Sequence, residues 1–262
     1  MANLKVYHDA SDELERRLRL KSFPIALKLL TKKSDIPKEA KRPLKDMGYH
    51  LAVCQGYQLS RRDGITVAML KEDHWCFEPV VGYGLGEPPT YFMQGYNRYP
   101  HDVENLEAGH HYAEEFPKLP VGKYIGAVSA PLRATTFEPD LIIIYCDSTQ
   151  LSLLLLAREY KDGYNLKCGL SSHAACVYSV VPPMLNNDFQ ISIPCRGDHY
   201  RAMAGDEELI FTAPRGKLEM LLSGLKYVEK DGSKLPRAYS ILPQYPLRES
   251  YAKIGKMMGF IK

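Results

Sequence analysis

The sequence predicts an α/β protein, with an α+β arrangement as its variant, organised as two pseudo-symmetric half-units that each carry two cysteines. Three observations lead there. A continuous β-branched run, Leu-Ile-Ile-Ile-Tyr at 141–145, is followed closely by Asp147 and an apolar segment at 151–160, the pattern of a buried strand that passes into a capped helix. Helical and extended segments follow one another along the rest of the chain. Finally, one pattern occurs twice: a helix with a cysteine near its start, a turn, a short strand and a second cysteine, first from Cys54 to Cys76 and again from Cys176 to Cys195.

Taken in order, residues 11–20 place leucines at 14, 18 and 20 in an amphipathic helix with Asp9 or Ser11 as its cap. Residues 23–30 read as a mostly buried strand, and the lysine-rich stretch that runs on to Lys45 reads as a solvated connection. The first cysteine unit then has a helix that closes at Asp63-Gly64, a strand over 65–70, and His74-Trp75-Cys76. Residues 77–100 are rich in Gly, Pro and Tyr. Their glycines at 82, 84 and 86 lack the spacing and strand-to-helix context of a nucleotide loop, and predict instead a loop running close to a bound group.

Residues 101–116 read as a helix. Its adjacent His110 and His111 point about 100° apart and cannot easily serve one ion, so they read as partly exposed structural histidines. Strands follow over 122–132 and 139–145, the second buried on both faces, and the helix over 151–160 ends at Asp162-Gly163. In the second cysteine unit, Ser171-Ser172 as N-cap would put Cys176 near the first turn of its helix, where the dipole favours thiolate. A strand over 206–214, an amphipathic helix over 217–228, an extended piece over 239–243 and a short helix over 248–258 complete the chain.

At 262 residues the chain suits a single domain, 1–262, with internal halves at 1–120 and 121–262. A net charge of +3, without any basic run, argues against nucleic acid as a partner. The apolar runs at 141–145 and 151–157 are too short to cross a membrane, and the first residues lack the apolar stretch of a signal peptide. A cytoplasmic location is therefore expected, with the six cysteines reduced unless something binds them. No Ser-His-Asp order, P-loop or metalloprotease motif supports a hydrolase or kinase.

The paired cysteines are 22 and 19 positions apart, a difference of three residues that fits a turn of different length. Ten residues beyond each second cysteine comes Gly plus an acid, Gly86-Glu87 and Gly205-Asp206. The chain also carries Phe23-Pro-Ile-Ala-Leu-Lys, Cys54-Gln, Cys76 with Gly82-Tyr-Gly-Leu-Gly, Ala130-Pro-Leu, Phe137-Glu-Pro-Asp-Leu-Ile-Ile-Ile-Tyr, Thr149-Gln, Ala175-Cys and Ile193-Pro-Cys-Arg-Gly-Asp. On these segments it resembles domain of unknown function family 169, an uncharacterised group found in anaerobic bacteria and archaea. The resemblance covers nearly the whole chain and implies family cysteines at 54, 76, 176 and 195, with Cys146 and Cys168 outside the pattern. It brings no established activity.

Four thiols supplied in pairs by two similar units point to one shared site at a pseudo-twofold interface. Thiolates select an iron–sulfur cluster, zinc or copper(I). Neither unit has the close Cys-x-x-Cys pair of a zinc knuckle, so a [4Fe–4S] cluster held by Cys54, Cys76, Cys176 and Cys195 is the leading expectation. Zinc, redox-active thiols, and plain buried cysteines remain alternatives. His74, Trp75 and Glu78 beside Cys76, and Arg196, Asp198 and His199 beside Cys195, are the candidate neighbours that would tune the site. The expected role is redox or accessory, in the manner of an oxidoreductase component. A redox partner protein or a small-molecule substrate would meet it, and homodimerisation is left open.

Overall fold

The computed structural model describes residues 4–230, 240–241 and 243–261. Its strands are β1 (Ile25–Leu30), β2 (Val67–Leu70), β3 (Gly126–Pro131), β4 (Leu141–Cys146), β5 (Gln190–Ser192) and β6 (Leu209–Pro214). The helices are α1 (Lys5–Leu18), α2 (Val53–Asp63), α3 (Phe77–Gly82), α4 (Thr90–Met93), α5 (Leu106–Glu115), α6 (Ser148–Glu159), α7 (Ala175–Tyr178), α8 (Val181–Asn186), α9 (Arg196–Ala202), α10 (Leu218–Lys230) and α11 (Glu249–Met257). The chain is thus a mixed helix-and-sheet protein, as its sequence predicts. The strands form one sheet in the order β2-β3-β1-β4-β6-β5, and every neighbouring pair is antiparallel.

Because successive strand residues point to opposite faces, each strand feeds two cores. Ala26, Ile142, Ile144 and Phe211 point to one side, where Leu14 of α1, Leu154 of α6 and Leu221 of α10 cover them. Leu27, Ile143 and Tyr145 point to the other, against Tyr57 of α2, Val81 of α3 and Val177 of α7. All six residues of β4 are buried, as expected of its apolar run. The cause is a helical layer on both faces, and the antiparallel pairing is the α+β variant of the expected architecture.

The sheet's register repeats on the two sides of the β1–β4 seam. At the seam, Ala26 faces Ile142, flanked by Ile25 opposite Ile143 and Leu27 opposite Leu141. Outward from it, Ile25 pairs with Pro131 of β3, and Leu141 pairs with Pro214 of β6. At the edges Val67 pairs with Ser129, and Gln190 with Thr212. Even the bonds past the strand ends correspond: Leu132 N–H donates to the Pro24 carbonyl at 2.8 Å, and Arg215 N–H to the Asp140 carbonyl at 2.9 Å. In this sheet β3 lies between β1 and β2, and β6 between β4 and β5.

Several local expectations shift. Helix α1 starts at Lys5, and Asp9 and Ser11 lie inside it, because Tyr7 and Ala10 extend its buried face towards the N-terminus. Helix α5 starts at Leu106, where the Asn105 side chain accepts from Ala108 N–H at 2.9 Å. Asp147 caps α6 as expected, accepting from the amides of Thr149 and Gln150. Of the extended piece expected at 239–243, Tyr239 and Leu242 lie outside the described residues. Helix α11 matches the expected terminal helix.

Helices α6 and α10 touch through Gly224, where an added Cβ would run into the Ala157 carbonyl oxygen. Backbone cannot yield as a side-chain tip can. Gly224→Ala is expected to cost about 1–3 kcal/mol, read as a drop in thermal unfolding temperature with the cysteine side of the sheet unaltered.

Candidate functional site

The four paired cysteines all belong to the side of the sheet covered by α2, α3, α7 and α9. The two pairs hold matching helix positions: Cys54 and Cys176 are the second residues of α2 and α7, while Cys76 and Cys195 are the N-cap residues of α3 and α9. Within the first half, Leu51 N–H donates to the Asp73 carbonyl at 3.0 Å and Trp75 N–H to the Leu51 carbonyl at 2.9 Å. This short pairing lays the segments that lead to Cys54 and Cys76 side by side, and Cys76 packs on a small cluster of Ala52, Cys54 and Ala202.

Across the halves, α2 packs on α9, with the Gln55 side chain donating to the Arg201 carbonyl at 3.3 Å. Helix α3 packs on α7 through Gly82, where an added Cβ would lie 2.5 Å from Val177 Cγ1. The sequence predicted a glycine loop running close to a bound group. At Gly82 the close neighbour is Val177, beside Cys176, so this glycine draws two cysteine-bearing elements together.

Burial dominates the electrostatics. The Cys176 thiol is pushed well above its usual range by burial, then by the charges that Cys76, Cys54, Asp198 and Cys195 would carry. Cys54 is raised by burial, then by Asp198 and Cys195; Cys76 is raised by burial, then by Glu78 and Cys54. All four thiols therefore share one charge neighbourhood. Backbone amides oppose the trend: those of Gln55, Glu78 and Asp198 favour the thiolates of Cys54, Cys76 and Cys195, and that of Ala175 also reaches Cys195. The thiolate expected for Cys176 is not what α7 provides. This helix is a single turn, capped by Ala174 in the left-handed region rather than by a serine, and burial outweighs its dipole.

Each N-cap thiol donates to a carboxylate on the helix it opens: Cys76 Sγ to Glu78 at 2.5 Å, and Cys195 Sγ to Asp198 at 3.0 Å. Asp198 also accepts from Cys195 N–H at 3.1 Å and from the Tyr145 hydroxyl at 3.2 Å. Of the other predicted neighbours, Arg196 is exposed, and the His199 ring pairs with the Ala204 carbonyl at 3.2 Å. His74 does not bond Cys76. Both its ring nitrogens are buried without a partner, and burial lowers its pKa to about 4. Trp75 is 76% exposed.

Among the described residues no three His, Cys, Asp or Glu side chains stand close enough together to hold one metal ion. No helix among them is long and apolar enough to cross a membrane.

The profile of domain of unknown function family 169, described as an uncharacterised ArCR family, matches residues 13–224. The chain belongs to family 169. No curated protein and no solved structure matches it. The family-169 match spans all six strands and all four paired cysteines, and stops before α11. Cys146 ends β4 on the far face of the sheet, with its thiol raised to about 12, mainly by burial, and Cys168 lies in the irregular segment between α6 and α7.

Two residues of this family-169 site, Tyr57 and Tyr145, are not singled out in the reading of the sequence; both are buried, as Tyr83 is. The Tyr57 and Tyr83 hydroxyls meet at 3.2 Å, and Tyr83 donates to the Cys176 carbonyl at 2.8 Å. A signal existed for one of them, since Tyr57 falls three residues after Cys54 and so on the same helical face.

Proposed function

We propose that this family-169 domain holds a [4Fe–4S] cluster through Cys54, Cys76, Cys176 and Cys195 and serves as an electron-transfer or accessory component for a redox partner. The observation that carries this is the placement of four thiols at four helix starts on one side of the sheet, Cys54 packed with Cys76 and Cys176 with Cys195 in the adjoining cluster. Tetrahedral zinc needs all its thiolates about 2.3 Å from one centre. A cubane takes one thiolate per iron, so its ligands stand apart.

The surroundings fit such a group. Amides aimed at the sulfurs of Cys54, Cys76 and Cys195 stabilise thiolate charge. Metal binding must release the thiol protons, and Glu78 and Asp198 already accept hydrogen bonds from two of them. When bound, the cluster supplies one-electron redox chemistry. Four protein ligands leave no iron open to substrate, which favours electron transfer over catalysis. Cys76 and Cys195 are only partly buried, so the site lies near the surface where a partner could dock. The repeated register about the β1–β4 seam supports two related half-units, each contributing a pair of thiols.

The packing of Cys76 against Cys54 favours one other reading, a thiol- or zinc-based docking protein without catalysis. Anaerobic purification followed by iron, sulfide and zinc analysis separates the two. About four irons and four sulfides per chain are expected. Zinc alone, or no metal with freely titrating thiols, would sink the cluster and leave the docking reading.

A further inference from the structure

Beside Cys76, along α3, lies a cavity of about 480 Å³. That volume is within the usual range of small-molecule sites, roughly 300–1,000 Å³. Trp75, Val80 and Cys76 form its wall, and Lys71 and Glu87 bring one positive and one negative charge to its lining. Neither charge has an ion pair or hydrogen bond among the described residues, although both line the same cavity. Gly86 leaves room for the lysine tip: a Cβ at this position would lie 2.8 Å from Lys71 Nζ.

Two further features of the cavity are unspent. His74 lines it too, and neither ring nitrogen has a partner or solvent, an unfavourable state for a buried polar group. Such a group marks a place where the missing partner comes from outside the chain. Trp75, whose ring lies 5.2 Å from the His50 ring, leaves most of its large apolar surface uncovered.

We infer that this cavity binds a small carboxylic acid that also bears an amino or hydroxyl group. Lys71 holds the carboxylate, Glu87 accepts from the amino or hydroxyl hydrogen, and Trp75 and Val80 cover the apolar body. A turn of the His74 ring gives it the hydrogen bond it lacks. An unsubstituted fatty acid would leave Glu87 unpaired and repelled; a simple amine would do the same to Lys71. The inference does not depend on a cluster, since none of these contacts involves a metal ligand's sulfur.

Trp75 is the sole tryptophan of the chain, so its emission reports on this cavity and nowhere else. The probe is 3-phenyllactate, with its uncharged amide as control, titrated against the full chain both as purified and after removal of any metal with a chelator. A saturable emission change is expected with the acid in both preparations, at least about tenfold weaker with the amide and at least about tenfold weaker in Lys71→Ala at an unchanged unfolding temperature. No saturable change up to roughly 10 mM overturns the inference. So does equal affinity for acid and amide, or binding that Lys71→Ala leaves intact. Iron is counted on the as-purified sample alongside: no iron there with acid binding intact would defeat the cluster proposal alone, and iron present without acid binding would overturn this inference alone.

Discussion

Cys176→Ala is expected to take the iron content from about four per chain to near zero, while Cys146→Ala leaves it unchanged. The contrast rests on position. Both thiols are buried, but Cys146 points to the far core, whereas the other three paired cysteines all bear on Cys176. With alanine at 176 one iron loses its ligand, and the apolar side chains of Ala175, Val177 and Val180 around the vacated position offer no substitute. Water is equally poorly placed to replace it, because this position is buried. Cys76→Ser makes the complementary case. Its position is only partly buried, so an oxygen ligand or water can reach it, and partial iron retention is expected. Iron and sulfide analysis with the visible absorption spectrum reads both variants. Full iron in Cys176→Ala would remove this cysteine from the ligand set.

The strongest sequence signals were local ones. The run at 141–145 followed by Asp147 gave both β4 and the start of α6, because a β-branched strand and an N-cap are decided by neighbouring residues. The direction of strand pairing was not legible. A strand covered by helices on both faces reads as the same apolar run whether its partners are parallel or antiparallel. The start of α1 was hidden for a related reason, since Lys5 to Asp9 looks polar and only the burial of Tyr7 against the sheet reveals the helix.

The same division runs through the site. Cysteine spacing exposed the two pairs, but Arg196, Asp198 and His199 share a single helical turn and sequence proximity to Cys195 could not rank them. Cap geometry does. With Cys195 as N-cap, the residue at N3 folds back onto its amide, and that residue is Asp198. His74 shows the opposite failure: it is close to Cys76 in sequence, yet it does not bond the thiol, and both its nitrogens are buried without a partner. Tyr145 could be placed only once the strand faces were known, because its side chain crosses to the cysteine side from a strand that also feeds the far core.

Arg61→Ala is expected to destabilise the fold by about 3–5 kcal/mol, roughly 10 °C in unfolding temperature for a chain of this size. Arg61 is 1% exposed and grips Glu208 through two bonds, 2.7 and 2.8 Å long, that tie α2 to the segment leading into β6. Its guanidinium lies 3.9 Å from the centre of the Tyr145 ring, and Tyr145 donates to Asp198, so the ion pair stands directly behind the cysteine site. Removing the arginine leaves a buried carboxylate whose remaining hydrogen bond among the described residues is the one from the Gly205 amide at 2.9 Å. Glu208→Gln weakens the pair from the other side, and Arg61→Met with Glu208→Gln is expected to cost less than the sum of the single changes, because no charge is left stranded. Acid should expose the same interaction. Burial alone would raise the Glu208 pKa, but the bonds from Arg61 and the Gly205 amide outweigh it, and the carboxyl is held below its usual range. The folded state then binds this proton more weakly than the unfolded one. The stabilisation is complete above the unfolded value of about 4.3 and is lost as pH falls from there through the lower folded value. The stability gap between the native chain and Glu208→Gln, measured by denaturant unfolding, should therefore be constant near neutrality and close below about pH 4. A cost for Arg61→Ala of under about 1 kcal/mol would mean that water screens the pair as it does at a surface, and that packing on Tyr145 rather than charge holds α2 in place.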